Sequence, residues 1–93
     1  MNYQFIEQIK NCPQVEAIYL FGSRARGDEQ AKSDIDLAIL CPHASERDWL
    51  NIVDIVDKAD TLLKIDCIRL DNLPNEQLKA EIERDKVVLY EQK

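Results

Sequence analysis

The stretch FGSRARGDEQAKSDIDLAIL, Phe21 to Leu40, decides how this chain is read. A Gly-Ser pair closes one apolar run, and Asp-Ile-Asp opens the next. Successive side chains on a strand point to opposite faces, so Asp34 and Asp36 share one face while Ile35 and Leu37 share the other. Two carboxylates on one face repel unless a cation sits between them. Hard divalent ions such as Mg²⁺ take oxygen ligands and prefer one or two carboxylates completed by substrate phosphates. The Asp-x-Asp pair alone is not specific, because it also occurs in calcium loops, in glycosyltransferases and on ordinary surfaces. An EF-hand loop is excluded: it would need Gly where Ile39 stands and Glu where Ser45 stands.

The upstream half sharpens the reading. Gly22 follows a buried apolar run and lets backbone approach a ligand closely. Ser23 is then expected to cap about one helical turn, with Gly27 as its stop. Backbone N–H groups at a helix start, with a hydroxyl among them, form a phosphate cradle. Arg24 and Arg26 add positive charge there. Taken alone, the same residues also read as a turn, a cap and two solvated arginines. Joined to the Asp pair, they set a phosphate cradle and a cation site on adjacent strands, as nucleotidyl transfer from a triphosphate requires. A third carboxylate is then expected from a neighbouring strand. Asp66 interrupts KIDCIRL, Lys64 to Leu70, on the face of Ile68 and Leu70, where an unpaired carboxylate is costly. The alternative is that Asp66 lies at the exposed start of that strand and is solvated.

The remaining sequence alternates helix and strand patterns. Tyr3, Phe5, Ile6 and Ile9 recur at helical spacing, which predicts a helix over 2–11 with Pro13 beyond its end. Val15 to Phe21 is β-branched and aromatic and reads as a buried strand. Ser45 and Asp48 resemble a capping box opening a long helix. Its apolar stripe is Trp49, Ile52, Val53, Val56, Ala59 and Leu63, with Glu46, Arg47, Asp54, Asp57 and Lys58 largely opposite. After Pro74, NEQLKAEIER reads as a short helix and KVVLYE as a final strand. The expectation is a single α/β (α+β) domain over 1–93: a small mixed sheet of about four strands with helices packed on it.

Bulk properties narrow the function. The chain has 93 residues, 45% apolar and 32% charged, and a formal net charge of -6. An acidic surface argues against non-specific binding to DNA or RNA. No apolar run approaches the roughly 20 residues of a membrane span, and the charged start does not read as a signal peptide. Cys12, Cys41 and Cys67 have no Cys-x-x-Cys pairing and read as reduced, mostly buried thiols of a cytoplasmic protein, not a zinc site. His43 and the acidic loop residues Asp28 and Glu29 read as solvated, and Trp49 as core.

GSRARGDEQAKSDIDL resembles the motif of the polymerase-β-like nucleotidyltransferases, in the form carried by the minimal nucleotidyltransferases (MNT) of bacteria and archaea. KIDCIRL fits that family's third-aspartate strand and EIERDKVVLYE its usual ending, so the likeness covers nearly the whole chain. It implies a polymerase-β-like core. It also implies that Asp34 and Asp36 coordinate two Mg²⁺ ions, with Mn²⁺ as a substitute, and that Gly22 and Ser23 hold the triphosphate of ATP or another NTP, assisted by Arg24. Asp66 would ligate one metal and help deprotonate an acceptor hydroxyl. Cys67 stands where relatives more often carry Leu or Val. MNT proteins are usually regarded as antitoxins paired with HEPN-domain ribonuclease toxins, some by transferring AMP to the toxin. Larger members of the superfamily add acceptor-binding domains, and none is read in this sequence, so the acceptor is expected to be another protein or a small molecule. The final strand leaves an edge to be covered by a partner or a second copy. The competing reading is a degenerate core that neutralises a toxin by contact alone; three mutually repelling aspartates argue against it. A glycosyltransferase is disfavoured by the small size.

Overall fold

The computed structural model describes residues 3–27 and 34–92. The elements run α1 (Gln4–Lys10), β1 (Ala17–Phe21), α2 (Gly22–Arg26), β2 (Ile35–Leu40), α3 (Glu46–Asp57), β3 (Ile65–Arg69), a 3₁₀ turn (Leu70–Asn72), α4 (Glu76–Asp85) and β4 (Val87–Glu91). The four strands form one mixed sheet in the order β3-β2-β1-β4. β1 is antiparallel to both β2 and β4, while β2 and β3 are parallel. The expected mixed sheet with packed helices is therefore present. Residues 28–33, including Asp28 and Glu29, lie outside the described part.

Strand alternation divides the core between the two sheet faces. Ile18, Leu20, Ile35, Leu37 and Ile39 point to one face and pack with Phe5, Ile6 and Ile9 of α1 and Ile52 of α3. The opposite face carries Ala17, Tyr19 and Ala38 under Ile82 of α4. Fully burying one Leu or Ile contributes about 1.5–3 kcal/mol, so this double-sided burial holds β1 and β2 at the centre of the sheet. The order matters for the site, because the segment after β1 and the first residues of β2 meet at one end of these two central strands.

Local signals explain several boundaries. The capping box is real: the Ser45 hydroxyl accepts from Asp48 N–H at 3.1 Å, and the Asp48 carboxylate accepts from Ser45 N–H at 2.9 Å. α3 nevertheless ends at Asp57, short of the full stripe. Beyond it the Thr61 hydroxyl accepts from Leu63 N–H at 3.1 Å, and the Asp60 carboxylate accepts from Gln4 N–H. Such side-chain bonds offer the backbone an alternative to helix. Ala59 and Leu63 still pack on the main cluster, as does Trp49, which is half-buried rather than fully enclosed. His43 is exposed as expected, and Cys41 is buried while Cys12 and Cys67 are half-buried free thiols.

One structural tie had no sequence signal. Arg69 Nε donates to Asp71 at 2.9 Å, and its Nη2 donates to the Cys41 and Ala44 carbonyls at 3.0 and 2.8 Å. Asp71 in turn accepts from Cys41 N–H at 2.9 Å. This pair clamps the ends of β2 and β3 together, at the end of the sheet away from Asp36 and Asp66.

Candidate active site

Strand register assembles the site. In the parallel β2–β3 pair Asp36 lies opposite Asp66, and in the antiparallel β1–β2 pair Asp36 lies opposite Phe21. The next residue, Gly22, has φ +73° and begins α2. A Cβ built there would run into the Asp36 carboxylate, with Asp36 Cγ at 3.1 Å and Cβ at 3.4 Å. Glycine is needed twice over at this point: the left-handed backbone disfavours any Cβ, and the carboxylate occupies its space.

The helical turn starts two residues earlier than Ser23 capping requires. Phe21 is the N-cap, no side chain caps the turn, and Ser23 sits inside it. Gly22's positive φ turns the chain directly from strand into helix, which leaves Ser23 no capping role. Gly27 does stop the turn, at φ 80°, with its N–H donating to the Ser23 carbonyl. Arg24 is half-buried and Arg26 exposed within the same turn.

Electrostatics set Asp36 apart. Its carboxyl is held above the ordinary value by burial first, then by the charges of Asp66 and Asp34 and by a direct contact with Asp66, while Arg26 pulls the other way. Asp34 immediately precedes β2, is half-buried, and acts on Asp36 through its charge. Lys64 Nζ lies 3.6 Å from Asp66 Oδ1. Asp85, at the end of α4, is held below the ordinary value by its hydrogen bond from Arg84 and, more weakly, by Arg84 and Arg26 charge.

The fold thus brings Gly22, Asp36 and Asp66 together, sets Asp34 beside them, and carries Ser23, Arg24 and Arg26 on the turn that Gly22 starts. Lys64 and Asp85 were not singled out by sequence. The two-residue spacing of Lys64 and Asp66 was a usable sign, because it places both on one strand face; nothing in the sequence marked Asp85. Among the described residues, no three His, Cys, Asp or Glu side chains converge closely enough to hold an ion by themselves. The Asp36–Asp66 pair presents hard oxygen donors whose mutual repulsion a cation would relieve. That set fits a Mg²⁺-class ion completed by ligand phosphates and water, not a closed protein cage. The cleft of about 320 Å³ beside the second half of β3, lined by Glu46, Trp49, Cys67, Arg69, Leu73 and Pro74 among others, does not include the carboxylates. Asp36 and Asp66 lie instead in the first residues of β2 and β3, beside the start of α2.

A strand, a glycine turn and paired strand aspartates in this arrangement fit a nucleotidyltransferase. Residues 4–93 match the family described as polymerase beta, nucleotidyltransferase, and the chain belongs to that family. Two proteins of Methanocaldococcus jannaschii, both named putative protein adenylyltransferase, are similar to it. One is 32% identical over 80 residues, covering 83% of this chain and 79% of the relative; the other is 34% identical over 79 residues, with the same two shares. Solved structures share the fold. A toxin–antitoxin crystal structure with AMP-PNP superposes with a TM-score of 0.65 at 22% identity, covering 97% of this chain and 75% of that one. A variant of the toxin–antitoxin pair MntA–HpeT reaches 0.72 at 23% identity, over 97% and 72%. A protein of Sulfolobus solfataricus titled a putative nucleotidyltransferase gives 0.59 at 24% identity, over 96% and 76%. No helix among the described residues is long and apolar enough to cross a membrane.

Proposed function

We propose that this nucleotidyltransferase moves AMP from ATP onto a hydroxyl of a partner protein, and that the partner is a HEPN-type ribonuclease toxin which the transfer silences. The observation that carries the reading is the position of Asp36, packed against Gly22 on one side and paired with Asp66 on the other. One residue touches both the phosphate-side turn and the acceptor-side strand. The adenylyltransferase names of the two archaeal relatives support AMP as the group moved, and the toxin–antitoxin neighbours support the kind of partner.

In this reading Asp34, Asp36 and Asp66 hold two Mg²⁺ ions, with Mn²⁺ able to replace them. Bound there, the ions neutralise charge on the attacking and leaving oxygens of an in-line displacement. The N–H groups of Gly22 and Ser23 and the Ser23 hydroxyl orient the triphosphate, and Arg24 and Arg26 add positive charge beside it. Asp66, on the outer of the two strands, faces the incoming acceptor. It takes the hydroxyl proton as the acceptor oxygen bonds to the α-phosphorus and the bond to the β-phosphate oxygen breaks, releasing pyrophosphate.

The test is incubation with α-labelled ATP and Mg²⁺, with and without the product of the adjacent gene. Label appearing on that protein, and lost with Asp34→Asn/Asp36→Asn, is the expected result. A stable complex with no label on either protein under any nucleotide would replace transfer with neutralisation by contact.

A further inference from the structure

A lysine stands among the carboxylates. Lys64 immediately precedes β3, and its carbonyl accepts from Ile35 N–H at 2.9 Å, so it continues the β2–β3 pairing. In that parallel register Ile35 lies opposite Ile65 and Asp36 opposite Asp66, which sets Lys64 beside Asp34 one step back. Strand alternation turns Lys64 and Asp66 to one face, the face of Asp34 and Asp36. There Lys64 Nζ reaches to 3.6 Å from Asp66 Oδ1. We propose that the Lys64 ammonium stands in for a metal ion at Asp66, and that a divalent ion must displace it to take that carboxylate. The inference rests on the ion-binding roles proposed above for Asp34, Asp36 and Asp66.

Stability does not account for this pair. Its side chains are 70% and 45% exposed, and exposed ion pairs contribute little to folding. The other lysine–carboxylate pairs described join residues three or four apart, the spacing of neighbours on a helix. Lys64–Asp66 instead runs along a strand, and one of its members lies opposite Asp36.

The geometry suits a replaceable cation. At 3.6 Å the contact is longer than a hydrogen bond, so the ammonium leaves the carboxylate without giving one up. Its flexible four-carbon stem lets it swing into water. One ammonium offsets part of the repulsion among the aspartates, but a Mg²⁺-class ion carries twice the charge and binds carboxylate oxygen directly. The same positive charge repels the incoming ion, so Lys64 lowers the affinity for metal alone. Nucleotide phosphates bring negative charge that offsets this repulsion. Lys64 thereby makes ion uptake depend on nucleotide, acting through Asp66 rather than on the reacting atoms.

Mn²⁺ titration of the full chain tests this, with free Mn²⁺ read by electron paramagnetic resonance. It is run without nucleotide and with α,β-methylene-ATP, which cannot be cleaved at the transfer bond. Without nucleotide, Lys64→Gln should bind Mn²⁺ about three- to tenfold tighter than the parent, and Lys64→Arg within about twofold of it. In an Asp66→Asn background the same Lys64→Gln change should have an effect of about twofold or less, because the group it acts through is gone. With the nucleotide analogue bound, the gain from Lys64→Gln should shrink. Circular dichroism should be unchanged throughout, since the Lys64 side chain is exposed and only its backbone bonds to β2. Mn²⁺ binding by Lys64→Gln no tighter than the parent's, or equal tightening with and without Asp66→Asn, overturns the proposal and leaves the Asp34–Asp36 site standing. Mn²⁺ uptake that Asp34→Asn/Asp36→Asn does not reduce overturns the proposed metal roles themselves, and this inference with them.

Discussion

Gly22 and Gly27 form a matched pair for testing how the site is built. Both have positive φ, +73° and +80°, so alanine at either position pays the left-handed backbone penalty, about 1–2 kcal/mol. They differ in what a new methyl would meet. At Gly27 nothing lies within 4 Å; at Gly22 the methyl collides with the Asp36 carboxylate. Gly27→Ala should therefore lower Tm by about 4–16 °C, taking 4–8 °C per kcal/mol for a chain of this size. Gly22→Ala should lose more, because Asp36 must also move, with a steric term of about 1–3 kcal/mol of the kind seen on overpacking. The consequence for function is sharper than that for stability. Gly27→Ala should keep Mg²⁺–ATP affinity within about twofold, whereas Gly22→Ala should reduce it at least tenfold, because the displaced carboxylate is the one that pairs with Asp66. Thermal denaturation and titration calorimetry on the two variants supply the comparison. Asp36→Ala added to Gly22→Ala removes the obstacle and should recover part of the lost stability, with a coupling energy of about 1 kcal/mol or more. Equal losses of stability and nucleotide affinity in the two single variants would refute the claim that Gly22 is fixed by its contact with Asp36.

Three further outcomes follow from the same geometry. Because the Asp36 carboxyl is raised by burial and by its acidic neighbours, its charged form destabilises the fold: the penalty is absent below the unfolded value, grows as pH rises through the raised folded value, and is full above it. Asp36→Asn should accordingly be more stable than the parent at pH 7 by about 1 kcal/mol, an effect kept small by partial exposure and screening, with the gain vanishing towards pH 3 in thermal melts. Asp66→Asn should slow transfer by about 10²–10⁴-fold while Mg²⁺–ATP affinity falls much less than in Asp34→Asn; full transfer by Asp66→Asn in single-turnover assays would reduce Asp66 to a solvated strand residue. Leu37→Ala, at a fully buried position of the larger core, should cost about 2–5 kcal/mol in denaturant unfolding without touching the carboxylate face.

The sequence by itself determined the elements and the residue types of the site. Period-two alternation in DIDLAIL set Asp36 on one face and Ile35 and Leu37 on the other, and the structure keeps that division, with Ile35 and Leu37 fully buried and Asp36 partly open. The Ser45–Asp48 capping box and the Gly27 stop were legible because they depend on bonds within a few residues. Boundaries set by competition were not legible: α3 stops before its apolar stripe does, and Ser23 lies inside the turn it was expected to cap. Only the tertiary structure decided who meets whom. That Asp36 stands opposite Asp66 rather than Ile68 is a matter of parallel register, which rests on packing at both sheet faces and on the Arg69–Asp71 clamp at the far end of the same strands. That β4 is left as an outer strand follows from β1 accepting partners on both sides, a choice made by the whole sheet and not by any residue of β4. Local chemistry is written along the chain, whereas contacts between distant strands exist only once the core has chosen its register.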